Sequence, residues 1–187
     1  GSPANILFAE LKCRRAILYN NLTPPSYFSR VSRQIARILE LGMKEVKALA
    51  GAADVTMAVS RYNAGELEKI GYRDVKVLPI VIDFDQLAVR PARKVLRAFD
   101  AGLVNALFVG RCVPNKKIED LLLAFSHFQR GVEPDSRLIV AGSYVGLERY
   151  HRLLRAVERD LGLRNIRFMG PLEQGALNAA YASADLF

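Results

Sequence analysis

Cysteine is scarce in this 187-residue sequence, with two residues in all. Cys13 and Cys112 lie far apart and show no spacing typical of a metal site, so neither disulfide nor zinc chemistry is expected. Such sparing use of cysteine favours a reducing compartment, and we expect a cytoplasmic protein. Cys112 has no histidine near it in the sequence, and we interpret it as a small packing residue.

Long apolar runs and blocks of like charge are also missing. No run approaches the ~20 apolar residues that cross a bilayer. No signal peptide is visible, and Gly1 and Ser2 resemble a cloning remnant. The formal net charge is +8, with 13 basic and 9 acidic residues up to Arg90 and 14 and 10 after it. Charge spread this evenly predicts no nucleic-acid partner and supports only a mild attraction to anionic surfaces.

The sequence also has no G-x-G-x-x-G after any predicted strand. A dinucleotide oxidoreductase is therefore disfavoured, because that glycine pattern brings the backbone close to a pyrophosphate. No repeat of fixed period and no low-complexity segment is present.

What the sequence does contain is an alternation of short apolar runs with amphipathic segments. This alternation predicts α/β architecture, with two Rossmann-like parallel-sheet domains and right-handed crossovers. The predicted strands cover residues 16–19, 54–60, 75–82, 106–109, 137–141 and 166–169, with another beginning at 185. The predicted helices cover residues 26–50, 62–70, 118–129, 147–161 and 173–183.

Residues 83–102 interrupt the alternation, since they are charged, contain Pro91 and lack periodicity. We therefore predict a first domain over residues 1–90, a linker over 91–102 and a second domain over 103–187. The first domain opens with one clear strand before its long helix, and the second ends as a strand begins. We expect both domains to be incomplete and the chain to be a fragment.

The stretch at residues 105–125, NALFVGRCVPNKKIEDLLLAF, is the most informative part of the sequence. It predicts a buried strand, a turn at Gly110, a loop with Arg111, Lys116 and Lys117, and then a helix. Open α/β sheets bind ligands at the carboxyl ends of their strands, and a helix amino terminus favours an anion there. The cations predict a phosphate or diphosphate site, although a solvated basic loop fits the spacing equally well.

The long helix predicted at residues 26–50 has a basic side opposite an apolar one. Such a side can contact anionic lipid or a diphosphate-linked acceptor. A solvated face is the simpler interpretation, because Glu40 shares that side. The basic side carries Arg30, Arg33, Arg37 and Lys44, and the apolar side carries Val31, Ile35, Ile38, Leu39, Met43, Val46 and Leu49.

Four segments after residue 105 together resemble a known family. They are FVGRCVPNKKIEDLLLAF, RLIVAGSYVGLERY, LGLRNIRFMGPL and LNAAYASADLF. In this order they resemble the nucleotide-sugar domain of retaining glycosyltransferases of family 4, the group 1 glycosyltransferases of GT-B fold. Upstream, LYNNLTPPSYF, ADVTMAVSRYNAGEL and VLPIVIDF resemble the acceptor-side domain of that family. The resemblance covers residues 17–187 and implies transfer of a sugar from a nucleotide-diphosphate sugar, with retention and without metal or other cofactor.

The resemblance also implies roles for residues of the first loop. Arg111 and Lys116 match the family's arginine and lysine, which hold the donor diphosphate and stabilise its departure. The chemistry agrees, because a leaving diphosphate carries charge that arginine's planar fork and lysine's compact cation stabilise. Gly110 is expected to let the backbone turn close to the ligand.

Two further turns are similar to donor-binding segments of the family. Gly142 and the loop after it, which includes Ser143, resemble the segment that lines the donor cleft. Met169, Gly170 and Pro171 resemble the loop that lies against the nucleobase. Ordinary punctuation between strand and helix is the alternative for both glycine turns.

The sequence departs from the family at several positions. Lys117 stands where glycine is common, so the loop is either stiffer or holds one more cation. Asn20 stands where the subgroup with a Thr-Pro-Pro loop often has a histidine; as a substrate-binding residue it can hydrogen-bond but cannot become a cation. The family's two glutamates separated by seven residues are absent and are expected beyond Phe187. We therefore expect the isolated chain to be inactive.

The expected partners follow from the resemblance. They are a UDP-, GDP- or ADP-sugar as donor and a glycan or lipid-linked acceptor, as in polysaccharide or glycolipid biosynthesis. Peripheral contact with the inner face of a membrane is an expectation that depends on the basic helix side. The alternative function is a non-catalytic Rossmann-like module that binds a nucleotide or another anion.

Overall fold

The computed structural model describes residues 3–100 and 102–187. The chain divides into two compact units, residues 1–82 and 83–187. Each unit contains a three-stranded parallel sheet, which confirms the predicted α/β class. The division lies a few residues before the boundary that the sequence predicted at 90, so residues 83–100 are part of the second unit. The predicted domain limits otherwise stay a prediction.

The first unit is built around a sheet in the order β1-β2-β3. Its buried core is small and includes Tyr72, whose hydroxyl donates to the Val46 carbonyl at 2.6 Å. The elements are α1 (Pro3–Glu10), β1 (Ala16–Tyr19), α2 (Arg33–Ala48), β2 (Val55–Ala58), α3 (Arg61–Lys69) and β3 (Lys76–Val77).

The long helix begins later than the sequence predicted, at Arg33 instead of residue 26. The Ser32 hydroxyl accepts the Ile35 N–H at 3.3 Å and so caps the helix, whereas Pro25–Tyr27 form a separate 3-10 turn. Hydroxyl capping of this kind fixes a helix start more firmly than apolar periodicity does. On the apolar side of this helix, Ile38 is 53% and Met43 is 47% exposed in the first unit.

The predicted strand at residues 75–82 is reduced to Lys76–Val77. Pro79 lacks a backbone N–H and cannot extend the ladder. Pro3–Glu10 form α1, in a part of the sequence for which no strand or helix was predicted.

The second unit is more regular, with a sheet in the order β4-β5-β6. Its strands and helices lie close to their predicted bounds, except that residues 83–100 contain two short helices where the sequence predicted an aperiodic segment. The β5 strand is buried along its whole length, as expected of a parallel strand covered on both faces. The elements are α4 (Phe84–Leu87), α5 (Arg93–Phe99), β4 (Val104–Val109), α6 (Ile118–Gly131), β5 (Ser136–Ala141), α7 (Glu148–Asp160), β6 (Ile166–Gly170) and α8 (Gln174–Ala182).

The end of the chain pairs with β4, as the prediction of a strand from residue 185 required. Ala106 and Leu186 form a parallel bridge, in which the Leu107 N–H donates to the Leu186 carbonyl at 2.8 Å. Leu186 and β5 therefore flank β4 on opposite sides. The strand order reverses at β4, and such a switch point opens a crevice at the carboxyl end of the strand.

Candidate functional site

Three glycine turns lie side by side at the carboxyl edge of the second sheet. The Gly110 N–H donates to the Ala141 carbonyl at 2.9 Å, and the Gly142 N–H donates to the Gly170 carbonyl at 2.8 Å. Gly110 and Gly142 therefore continue the ladder beyond β4 and β5, next to Gly170 at the end of β6. The structure brings together the three turns that the sequence had predicted separately.

Gly142 occupies a position where no side chain fits. A Cβ atom there would lie 1.8 Å from the Gly110 carbonyl oxygen and 2.5 Å from its carbonyl carbon. Its φ of +153° also lies outside the range that other residues adopt easily. Glycine at 142 is thus required by the close approach of two backbone turns, which is more than ordinary punctuation.

The loop after Gly110 is held by a backbone hydrogen bond to the neighbouring loop, and its charged side chains are exposed. The Cys112 N–H donates to the Ser143 carbonyl at 2.9 Å, so the two loops are joined. Cys112 is only 1% exposed and burial raises the pKa of its thiol, which agrees with a packing role. Val113 and Pro114 are buried beside it.

The cations of this loop point into solvent. Arg111, Lys116 and Lys117 are exposed, and Lys116 ends a 3-10 turn that begins at Pro114. Within residues 3–100 and 102–187, the side chains of Arg111 and Lys116 have no hydrogen bond or ion pair. A rigid backbone therefore presents two unpaired cations at the carboxyl end of β4.

Lys117 has the backbone conformation for which glycine is favoured. Its φ of 52° and ψ of 47° are left-handed, and it stands immediately before α6. The residue that departs from the family pattern therefore adopts the conformation that the usual glycine would adopt easily. Its ammonium lies 3.7 Å from Glu119 Oε1.

Two residues near this loop escaped sequence reasoning. Glu119 lies in the first turn of α6, and its carboxylate accepts a hydrogen bond from the Tyr150 hydroxyl on α7. Tyr150 lies in the helix that the sequence predicted at residues 147–161, and it is 2% exposed. Its polar partner lies 31 residues away, so local periodicity carries no signal for the pair.

The turn at the end of β6 contains one residue that packs against the core and one that is exposed. Met169 is partly buried against the core residues Phe99, Leu107, Ile139 and Ala180. The β5–β6 register shifts at this point, since Ala141 pairs with Gly170 instead of Met169. Gly170 has a φ of +68°, and Pro171 is exposed. Of the three predicted nucleobase-loop residues, Met169 therefore has a clear structural role.

An aromatic groove adjoins this turn and was not predicted. The His151 ring stacks on Tyr144 at 4.1 Å between centroids and meets the Phe168 ring edge-on at 5.2 Å. Burial and the neighbouring Arg155 lower the pKa of His151, and its Nε2 atom is buried without a hydrogen-bond partner among the described residues. Tyr144, His151, Arg155 and residues 166–170 line the groove.

Asn20 belongs to the first unit and is described only within it. It follows β1 directly and is exposed, and Asn21 after it has a φ of 91°. Its predicted role in binding a substrate stays a prediction.

Two features are absent from the described residues. Within residues 3–100 and 102–187, no group of three or more His, Cys, Asp or Glu side chains could hold a metal ion. No helix in the same residues is long and apolar enough to cross a membrane.

Comparison with known families gives one match in the second unit, over residues 97–187. It is the family of glycosyl transferases group 1. The match covers just under half of the chain and includes the loop with Arg111 and Lys116, Gly142 and the turn at Gly170. The resemblance to group 1 glycosyltransferases is therefore confirmed for this part of the sequence. Comparison with curated proteins gives no match.

Solved structures share the fold at low sequence identity. A UDP-forming α,α-trehalose-phosphate synthase from Burkholderia xenovorans has a TM-score of 0.67 and 16% identity, over 97% of this chain and 49% of that one. A sucrose-phosphate synthase from Thermosynechococcus elongatus has a TM-score of 0.63 and 18% identity, over 90% and 42%. An α,α-trehalose 6-phosphate synthase from Burkholderia multivorans has a TM-score of 0.64 and 18% identity, over 90% and 44%.

These likenesses show the fold and its extent. The chain has the two Rossmann-like units of the GT-B type, as the sequence predicted, and spans less than half the length of the solved structures that it matches.

Proposed function

We propose that this chain is part of a glycosyltransferase that transfers a sugar from a nucleotide-diphosphate sugar to an acceptor, with retention and without a metal ion. The family match over residues 97–187 supports sugar transfer as the class of reaction. The observation that carries the proposal is the pair of unpaired cations, Arg111 and Lys116, on the anchored loop at the carboxyl end of β4.

The position of the loop suits a bound diphosphate. It follows the strand at which the order of the sheet reverses, where open α/β sheets bind their ligands. Gly110 and Gly142 bring two backbone turns together without side chains between them. The loop with the two cations therefore begins at a closely packed pair of turns, and its cations would hold the phosphate.

The proposed chemistry uses those cations at the moment of bond cleavage. When the bond between the anomeric carbon and the diphosphate oxygen breaks, its electron pair stays on the diphosphate. Arg111 can donate two parallel hydrogen bonds to phosphate oxygens, and Lys116 adds a compact positive charge. Positive charge placed beside the diphosphate stabilises the negative charge that develops on it.

The finer assignments are part of the same proposal. The donor is a UDP-, GDP- or ADP-sugar, and UDP is the first probe because one of the fold relatives is described as UDP-forming. Its base would lie near Gly170 and Pro171, with Ser143 on the facing loop. The acceptor would be a glycan or a lipid-linked sugar, on the side of Asn20. The exposed Arg33, Arg37 and Lys44 of α2 support a peripheral contact with anionic lipid.

Calorimetric titration of the 187-residue chain with UDP, GDP and ADP tests the diphosphate site. We expect binding of at least one of them, and a loss of about tenfold or more in affinity for Arg111→Ala and for Lys116→Ala. A hydrogen bond between charged groups contributes about 1.5–3 kcal/mol, and 1.4 kcal/mol corresponds to a factor of ten.

Two exposed cations outside the loop provide matched controls. Lys94→Ala on α5 and Arg159→Ala on α7 remove the same charge and should leave nucleotide affinity within about twofold of the wild type, since distant surface charges are screened. The proposal fails if no nucleotide binds, or if the loop variants and the control variants lose affinity equally.

A further inference from the structure

A buried tyrosine on α7 reaches the start of the helix that follows the cationic loop. Tyr150 is 2% exposed, and its hydroxyl donates a hydrogen bond to the Glu119 carboxylate. One phenol group on α7 therefore holds a carboxylate in the first turn of α6.

Among the described residues, no side chain caps α6 at this end. The residue before it is Lys117, whose side chain makes no capping hydrogen bond and carries no acceptor. Burial, then the hydrogen bond to Glu119 and its charge, raise the pKa of Tyr150, so the hydroxyl stays protonated and keeps donating.

Glu119 is a carboxylate held next to a loop of cations. Tyr150 engages its Oε2 atom, and Oε1 lies 3.7 Å from the ammonium of Lys117. Arg111 and Lys116 have no such partner among the described residues. A carboxylate offers these cations the same kind of oxygen acceptor as a phosphate does. If Glu119 were released, it would compete with a bound anion.

We propose that Tyr150 is a positioning residue that keeps the Glu119 carboxylate away from Arg111 and Lys116, so that both cations stay free for a diphosphate. This inference rests on the proposed function of the loop. It also gives Lys117 a role: its ammonium pairs with the Glu119 carboxylate, so Lys117 is not the main contact of the phosphate.

The experiment measures the affinity for inorganic pyrophosphate and for UDP by calorimetry. We expect Tyr150→Phe to weaken the affinity for both ligands about three- to fivefold. This is the upper range for a partly exposed ion pair, here between released Glu119 and a loop cation, that the ligand must break. We expect the double variant Tyr150→Phe with Glu119→Gln to bind at least as tightly as the wild type, because the competing charge is gone. A purely structural defect at Tyr150 would not be rescued by a change at Glu119.

The neighbouring carboxylate provides the matched control. Asp120 lies in the same first turn of α6 and is exposed, and among the described residues no hydrogen bond joins its side chain to Tyr150. Tyr150→Phe with Asp120→Asn removes the same charge from the same helix turn. It should stay at the weaker affinity of Tyr150→Phe. Equal rescue by both double variants would show a general charge effect and would overturn the positioning role.

A measurement without ligand separates this inference from the proposed function. Mass spectrometry after mild amine acetylation reports how accessible Lys116 and Lys117 are. We expect Tyr150→Phe to lower the labelling of Lys116 about twofold as Glu119 moves onto it, and Glu119→Gln in that background to restore it. Unchanged labelling of Lys116 overturns the inference whatever the nucleotide affinity. If the wild type binds neither pyrophosphate nor UDP, the proposed function fails, and the labelling still decides the placement of Glu119.

Discussion

The backbone of Gly142 lies against the carbonyl group of Gly110, so closely that a Cβ atom at 142 would be 1.8 Å from the oxygen. Gly142 directly follows β5 and Gly110 directly follows β4. The loop with Arg111 begins at Gly110. The shape of the proposed diphosphate site therefore depends on a contact between two glycines, with no side chain involved.

Replacement of Gly142 by alanine should destabilise the second unit by about 3 kcal/mol, because the methyl group must displace the backbone of Gly110. Gly131→Ala adds the same methyl group where nothing lies within 4 Å, at the end of α6. This control should stay within about 1 kcal/mol of the wild type. Urea unfolding followed by circular dichroism compares the two variants, and equal stability would contradict the close contact.

Replacement of Lys117 by glycine should stabilise the second unit. A left-handed conformation costs an ordinary residue about 1–2 kcal/mol, and glycine adopts it without that strain. Lys117→Ala removes the same ammonium group and keeps the strain, so it is the matched control. We expect the free energy of unfolding of the glycine variant to exceed that of the alanine variant by about 1 kcal/mol. A glycine variant that is no more stable than the alanine variant would rule out the strain.

His151 should make the second unit less stable in mild acid. Burial and Arg155 lower its pKa in the folded protein, whereas in the unfolded chain it protonates near its ordinary pKa of about 6.5. The unfolded state therefore binds more protons below that value, and the free energy of unfolding falls as the pH drops below about 6.5.

The test is urea unfolding at about pH 7.5 and about pH 5.5. His151→Phe keeps an aromatic ring between Tyr144 and Phe168 but cannot titrate, so its loss of stability between the two pH values should be smaller than that of the wild type. His127 is the other histidine of the sequence and is exposed, and His127→Gln should behave as the wild type does. A His151→Phe variant with the wild-type pH dependence would contradict the prediction.

The sequence by itself determined the order of elements in the second unit from β4 onward and the position of the cationic loop. These features depend on local rules: an apolar run without alternation forms a buried parallel strand, a periodic run forms a helix, and glycine lies at the end of each of the three strands. The same rules were less reliable where a local cap or a proline competed with periodicity. Ser32 caps α2, which therefore begins later in the chain than the periodicity predicted, and Pro79 makes β3 shorter than predicted.

Only the tertiary structure decided which of these local features meet. The contact of Gly142 with Gly110, the hydrogen bond of Tyr150 with Glu119 and the stacking of His151 on Tyr144 each depend on how strands and helices pack. Periodicity shows that a side chain such as Tyr150 is buried, but it does not show what its hydroxyl meets. That partner is set by the side-by-side packing of α6 and α7, which brings together residues 31 positions apart.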